Sequence, residues 1–406
     1  MREQVRAVLK RIGPGFITAS VVLGPGSILA ASRAGAESHY GLIWLLVCAC
    51  IFMATYTGMG ARLGCSLPTM PLSYVAEHWS RLLALLAGIS GFLVTAGFQF
   101  GNNIGVAVAL SEVTGIPLSI WPLVFTGLSL YFLLRARHVY QFIERLIIAL
   151  VVVMIVAFVA NLFWTGLHPA PLARGLIPRG LSDTELIIGG AILGTTFSAV
   201  AAFYQGYLVQ AKGWRRDSVF TAIRDARIGI AFLCLMALVI MISAAESLYG
   251  TPGDFSSVGE LANQLKGVLG TWATTVFCFG LAAASFSSFI ANALIGGALL
   301  ADGVGLDADL SGWPVKLLTS AVMLVGCGVA VATIRTGSGN TTSLLIAQAS
   351  TLVAAPLCAV LVFYMSSRKD IMGDMQNGWI SIVIGLCGLI AMGWLNYNLF
   401  RQVFGL

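Results

Sequence analysis

The sequence predicts an all-α polytopic membrane protein. Of 406 residues, 58% are hydrophobic and only 10% charged, where soluble domains carry charge on roughly a quarter of theirs. Apolar runs near the length of about 20 residues that crosses a bilayer recur eleven times, at 12–34, 41–63, 83–111, 117–135, 141–165, 184–211, 222–248, 270–300, 314–334, 342–366 and 378–400. The connections between them alternate in basic content. One set holds 17 of the 23 basic residues: Arg2, Arg6, Lys10, Arg11, Arg62, Arg81, Arg135, Arg137, Arg145, Lys212, Arg215, Arg216, Arg224, Arg227, Lys316, Arg368 and Lys369. Arg33, Arg174, Arg179, Lys266, Arg335 and Arg401 make up the other. Basic loops face the cytoplasm, so the N-terminus is expected inside the cell membrane and the C-terminus outside. Met1 to Arg11 is polar and basic, and no cleavable signal peptide is expected.

The first span carries the strongest local signal. Gly24-Pro25-Gly26-Ser27 interrupts it, between Phe16–Leu23 and Ile28–Ala31. Proline removes a backbone donor and the glycines loosen the chain. Unwound backbone at membrane depth is tolerated where it is buried in protein or lines a cavity, and transporters place substrate sites at such breaks. A plain proline kink is the alternative.

Spans 2 to 5 end at a proline-marked connection, Gly166–Asp183, with Pro169, Pro171 and Pro178. It separates spans 1–5 from spans 6–10, an odd number in each half, so the two halves must run in opposite topology. Span 6 repeats the irregularity more quietly, as Gly189-Gly190 and then Gly194-Thr195-Thr196-Phe197-Ser198-Ala199. A second exterior loop is read at Thr251–Lys266. The expected division is 1–166 as the first repeat, 167–183 as linker, 184–366 as the second repeat, and 367–406 as span 11 with the C-terminal end.

Eight cysteines (Cys48, Cys50, Cys65, Cys234, Cys278, Cys327, Cys358, Cys387) stand singly in or beside apolar runs and read as inert packing residues. The four histidines form no cluster with them. No metal site, catalytic group or cofactor is expected, and no nucleophile–base pair suggests an enzyme.

Several stretches resemble the NRAMP family of divalent-metal transporters over nearly the whole chain. Gly13-Pro14-Gly15-Phe16 with Pro25-Gly26 is similar to its first helix, and Ala34-Gly35-Ala36 with Ala61-Arg62-Leu63-Gly64 to the flanks of its second. Gly115-Ile116-Pro117, Leu208-Val209-Gln210, Ser287-Ser288 and Ala347-Gln348 with Pro356 are similar to later landmarks. The resemblance implies a LeuT-type inverted-repeat fold of five plus five helices, with helices 1 and 6 broken, and secondary active transport by alternating access. The family's signature residues differ here. Its Asp-Pro-Gly-Asn stands as Gly24-Pro25-Gly26-Ser27, and its Met-Pro-His aligns with Ser198-Ala199-Val200. Gln99 and Asn102 occupy third-helix positions where members often carry acids. Lacking the metal motif, the chain resembles a branch of NRAMP-related proteins associated with bicarbonate transport.

Without those carboxylates the helix N-termini, each near half a positive charge, favour an anion. The expected substrate is therefore a small monovalent inorganic anion, bicarbonate above others. The expected site comprises Gly24, Pro25, Gly26, Ser27, Gln99, Asn102, Thr195, Thr196, Ser198, Ala199 and Gln348. Singly, such Ser and Thr often back-bond in their helices, and Asn and Gln glue helices together. Sodium coupling at Ser287 and Ser288 is implied by the fold resemblance alone. No nucleic acid is expected as a partner, only ions and the lipid bilayer. A hydrated divalent cation such as magnesium, a neutral small solute, and a transport-dead sensor remain as alternatives.

Overall fold

In the computed structural model, residues 13–404 are described, apart from 136, 167, 254 and 338–340. The basic residues before Gly13, on which the orientation partly rests, lie outside them. No strand occurs among the described residues, and every expected span is helical.

The first span is two half-helices, α1 (Pro14–Val22) and α2 (Pro25–Ser38). Each begins on a proline, which needs no donor partner in a first turn. Next come α3 (Ile43–Ser66), the connector α4 (Pro71–His78), α5 (Arg81–Thr114), α6 (Ile120–Leu134), α7 (Arg137–Thr165) and the short α8 (Pro169–Arg174). Span 6 is α9 (Asp183–Thr196) and α10 (Ala199–Ala211). Then α11 (Val219–Leu248), the short α12 (Val258–Ala262) and α13 (Lys266–Leu269), α14 (Ala273–Val304) and α15 (Trp313–Arg335) follow. Span 10 also divides, at Ala355, into α16 (Thr341–Ala354) and α17 (Pro356–Ser367), because Pro356 cannot donate to the preceding turn. The short α18 (Lys369–Met372) and then α19 (Trp379–Phe404) complete the chain. Thus Thr251–Lys266, expected as a plain loop, holds a short helix with a capping box, Ser257 with Glu260.

Seven helical stretches among the described residues are long and apolar enough to cross a membrane. Of the four expected spans outside these seven, spans 4 and 5 show shorter apolar helices among the described residues, Ile120–Leu134 and Ala149–Thr165, and spans 1 and 10 are broken. A broken span yields halves of 9 to 14 residues, and a nine-residue half rises only about 14 Å. Such halves span together, not singly.

The helices form two bodies. In one, α11 packs on α1, α2 and α3, and α10 packs on α3. In the other, α14 lies along α5, with α15 and α16 against them. Small residues permit the closest approaches. A Cβ on Gly60 of α3 would overlap the Ala202 carbonyl oxygen of α10. The same proximity of helices, between α3 and α11, brings Cys50 and Cys234 to a Cα separation of 5.8 Å as a disulfide. This corrects the reading of all eight cysteines as inert. A partner 184 residues away is not visible in local sequence.

This packing can be tested by stability and by thiol chemistry. Gly60→Val should cost roughly 3 kcal/mol or more by overpacking, seen as a lower thermal-unfolding midpoint in detergent. Gly127→Ala, with nothing within 4 Å of its Cβ, should stay within about 1 kcal/mol of the parent. Thiol titration of the denatured, unreduced protein should find the six cysteines outside the disulfide, and reduction should add two.

Candidate functional site

The buried apolar side chains fall into two large clusters, and a polar layer lies between them. In α5, Val94 belongs to one cluster and Ile104 to the other. Gln99, Asn102 and Asn103 lie between, all buried. In α14, Phe289 and Ile295 flank buried Asn292, and Ser288 is fully buried beside it. In α16, Leu345 belongs to the first cluster and Gln348 follows one turn later at 1% exposure. The first helix break reaches this layer, whereas the second, at Phe197 and Ser198, is flanked by Leu193, Ala199 and Val200 of a single apolar cluster.

At the first break Gly24 is the N-cap of α2, with φ −99° and ψ −173°. Its N–H donates to the Val22 carbonyl at 2.9 Å. The Ser27 hydroxyl donates to the same carbonyl at 2.6 Å. A Cβ on Gly24 would lie 3.4 Å from Ser288 Oγ and 3.6 Å from Asn102 Oδ1. The backbone here therefore faces α5 and α14 across a narrow gap. Gln348 lies between α2 and α5: a Cβ on Gly26 would come within 2.5 Å of its Cγ and Cδ, and one on Gly101 would overlap its Nε2. Pro25 packs towards Gly105.

Three polar atoms of this layer are buried without a hydrogen-bond partner: Ser288 Oγ, Gln348 Oε1 and Gln99 Nε2. Buried polar groups are nearly always satisfied by protein, water or ligand. Asn102 Nδ2 approaches Gln99 Oε1 at 3.5 Å, and Asn103 is held by the Gln99 carbonyl and Thr126. Ser287 donates to Ala284 O within α14, so of the serine pair only Ser288 faces the break.

At the second break Ser198 caps α10, accepting from Ala201 N at 3.4 Å. Thr195 donates back to Ala191 O at 2.7 Å. Thr196 and Ala199 are buried, and Phe197 between them packs on Phe52 and Tyr56 of α3. The expected site residues thus divide. Gly24, Gly26, Asn102 and Gln348 meet, joined by Ser288, whereas the Ser27 hydroxyl is taken by Val22 O across the break and that of Thr195 by its own helix.

One buried carboxylate escaped the sequence reading. Asp302, near the end of α14, is 1% exposed. Its position at a helix end hid it, since burial there depends on neighbours rather than on the run it belongs to.

Two broken helices, the first opening on a buried polar layer, in an all-helical LeuT-type fold point to a secondary membrane transporter. Comparison with known proteins gives its family. Residues 15–402 match the family described as "Natural resistance-associated macrophage protein-like", and the chain belongs to that family. It is 26% identical over 415 residues to the divalent metal cation transporter MntH of Acidiphilium cryptum, covering 97% of this chain and 90% of that one. To MntH of Mycobacterium tuberculosis it is 24% identical over 396 residues, with 96% and 90% covered. The fold matches the Eremococcus coleocola manganese transporter, solved in complex with an aromatic bis-isothiourea substituted compound, at a TM-score of 0.78 and 20% identity over 96% of this chain and 85% of that one. It matches the nucleobase-cation-symport-1 family transporter MHP1 at 0.56 and 13%, over 95% and 93%.

These relatives overturn the expected small inorganic anion as partner, since they are named for divalent metal cations and manganese. The physical error lies in the hydroxyls. Ser27 and Thr195, counted as donors to an anion, donate to backbone carbonyls instead, Ser27 to Val22 at the end of α1 and Thr195 to Ala191 of its own helix.

The fit of Gln348 gives a steric test. Gly26→Ala places a methyl against its buried amide and should lower uptake of transported ion at least tenfold in proteoliposomes. Gly24→Ala, meeting only ordinary contacts at 3.4 Å and beyond, should stay within about threefold of the parent.

Proposed function

We propose that the protein is a secondary-active carrier of a hard divalent cation, magnesium-like and largely hydrated, moved by alternating access. The observation that supports it is the set of acceptors left at the first break: Ser288 Oγ and Gln348 Oε1 without partners, with Asn102 Oδ1 beside Gly24. Helix ends add to this. α1 ends at Val22 and α9 at Thr196, and C-terminal helix ends carry about half a negative charge. Neutral oxygens without thioether or thiolate suit hard cations, and magnesium keeps most of its water and needs few protein ligands. The division into two inverted repeats at 1–166 and 184–366, with a cytoplasmic N-terminus, belongs to the same proposal. The relatives' named substrates support the divalent class.

Saturable magnesium uptake into proteoliposomes, competed by manganese, is the expected result. Gly24→Asp should tighten apparent manganese affinity at least tenfold, or 1.4 kcal/mol. The Coulomb attraction of unit charges 4 Å apart at an effective dielectric near 20 is about 4 kcal/mol, and desolvation offsets part of it. The backbone at Gly24 is extended and the Cβ fits. Absence of divalent flux, or weaker divalent binding in Gly24→Asp, would sink the reading.

A further inference from the structure

Asp302 lies in the last turn of α14, at the end of the molecule where α1 begins, away from the polar layer. Three donors from two other elements converge on it. Leu72 N reaches Oδ2 at 2.8 Å and Tyr207 Oη reaches Oδ2 at 2.6 Å, while Ser73 Oγ donates to Oδ1. Leu72 and Ser73 open α4; Tyr207 is fully buried in α10. Among the described residues no Lys, Arg or His forms an ion pair with Asp302. Its three partners are donors, which makes it a poor metal ligand and a strong hydrogen-bond acceptor. Hydrogen bonds to an ionised group are about twice as strong as neutral ones.

The bond to Tyr207 joins the two bodies of the fold. α10 packs mainly on α3, whereas α14 lies along α5. On the same face α10 is tied to α1, since Thr18 Oγ1 donates to Gln205 Oε1 at 2.5 Å. α1 is tied in turn to α11, where Asp225 Oδ2 accepts from Gly15 N at 2.6 Å. A pull on α10 therefore reaches α1, the half-helix that ends at the substrate layer.

We propose that Asp302 is a positioning residue for transport. Through Tyr207 it holds α10, and with it α1, closed against α14, and this bond opens when that face admits solvent to the break. The inference rests on the alternating-access reading, but its test needs no transported ion.

Hydrogen exchange of the purified full chain, without added divalent ion, reads the latch directly. Tyr207→Phe keeps the buried ring and removes only the hydroxyl. Amides of 199–211 should exchange at least threefold faster and those of 25–38, towards the opposite face, at least threefold slower, because opening one face depopulates the other. Asp302→Asn should shift both segments in the same directions; if it fails to fold, Tyr207→Phe decides alone. Faster exchange at both faces means general loosening and overturns the proposal, as does no change at 199–211. A failed latch and a failed substrate assignment thus give separate results.

Discussion

The structure depends on how an interrupted helix is satisfied inside a membrane. Breaking α1 from α2 frees backbone groups where no bulk water can pair with them, at several kcal/mol each. The chain answers locally: Gly24 N and Ser27 Oγ both donate to Val22 O, and proline occupies the first position of α2. The second break is answered by Ser198 capping Ala201. Once the breaks are self-satisfied, what they offer a ligand is limited to the remaining carbonyl ends and to side chains from α5, α14 and α16.

That limit decides the chemistry. A hydroxyl is donor and acceptor at once, and sequence alone does not say which role is free. Here the hydroxyls of Ser27 and Thr195 donate to carbonyls, while Ser288 Oγ and Gln348 Oε1 stay unpartnered beside the glycines of α2. Electrostatics argued from helix N-termini alone counts half of each broken helix. Each break also brings a C-terminal end of opposite sign.

Closure at the two faces uses different bonds. Away from α1's first turn, Arg33 reaches Glu37 and Thr342 of α16. Tyr40 donates to Glu246, which also meets His168. Burial, and then Glu246, raise the Tyr40 phenol well above its ordinary pKa, so it remains a donor. On the other face the contacts are Thr18 with Gln205, Gly15 with Asp225, and Tyr207 with Asp302. Apart from Arg33 with Glu37, which share α2, both sets join elements distant in the chain.

The sequence by itself determined the eleven apolar segments, the break at Gly24-Pro25 and the family. Hydropathy, proline and glycine act within a few residues, so their effects can be read locally. It hinted at the break in span 6 and named Gly24, Gly26, Asn102 and Gln348, which the fold brings together. Tertiary structure alone decided which polar atoms are free, that Cys50 meets Cys234, and that Asp302 is buried under Tyr207. These pairings span 184 and 95 residues. They depend on helices distant in the chain packing closely, as where Gly60 of α3 has no room for a methyl against Ala202 of α10, a condition set by both helices at once and by neither sequence alone.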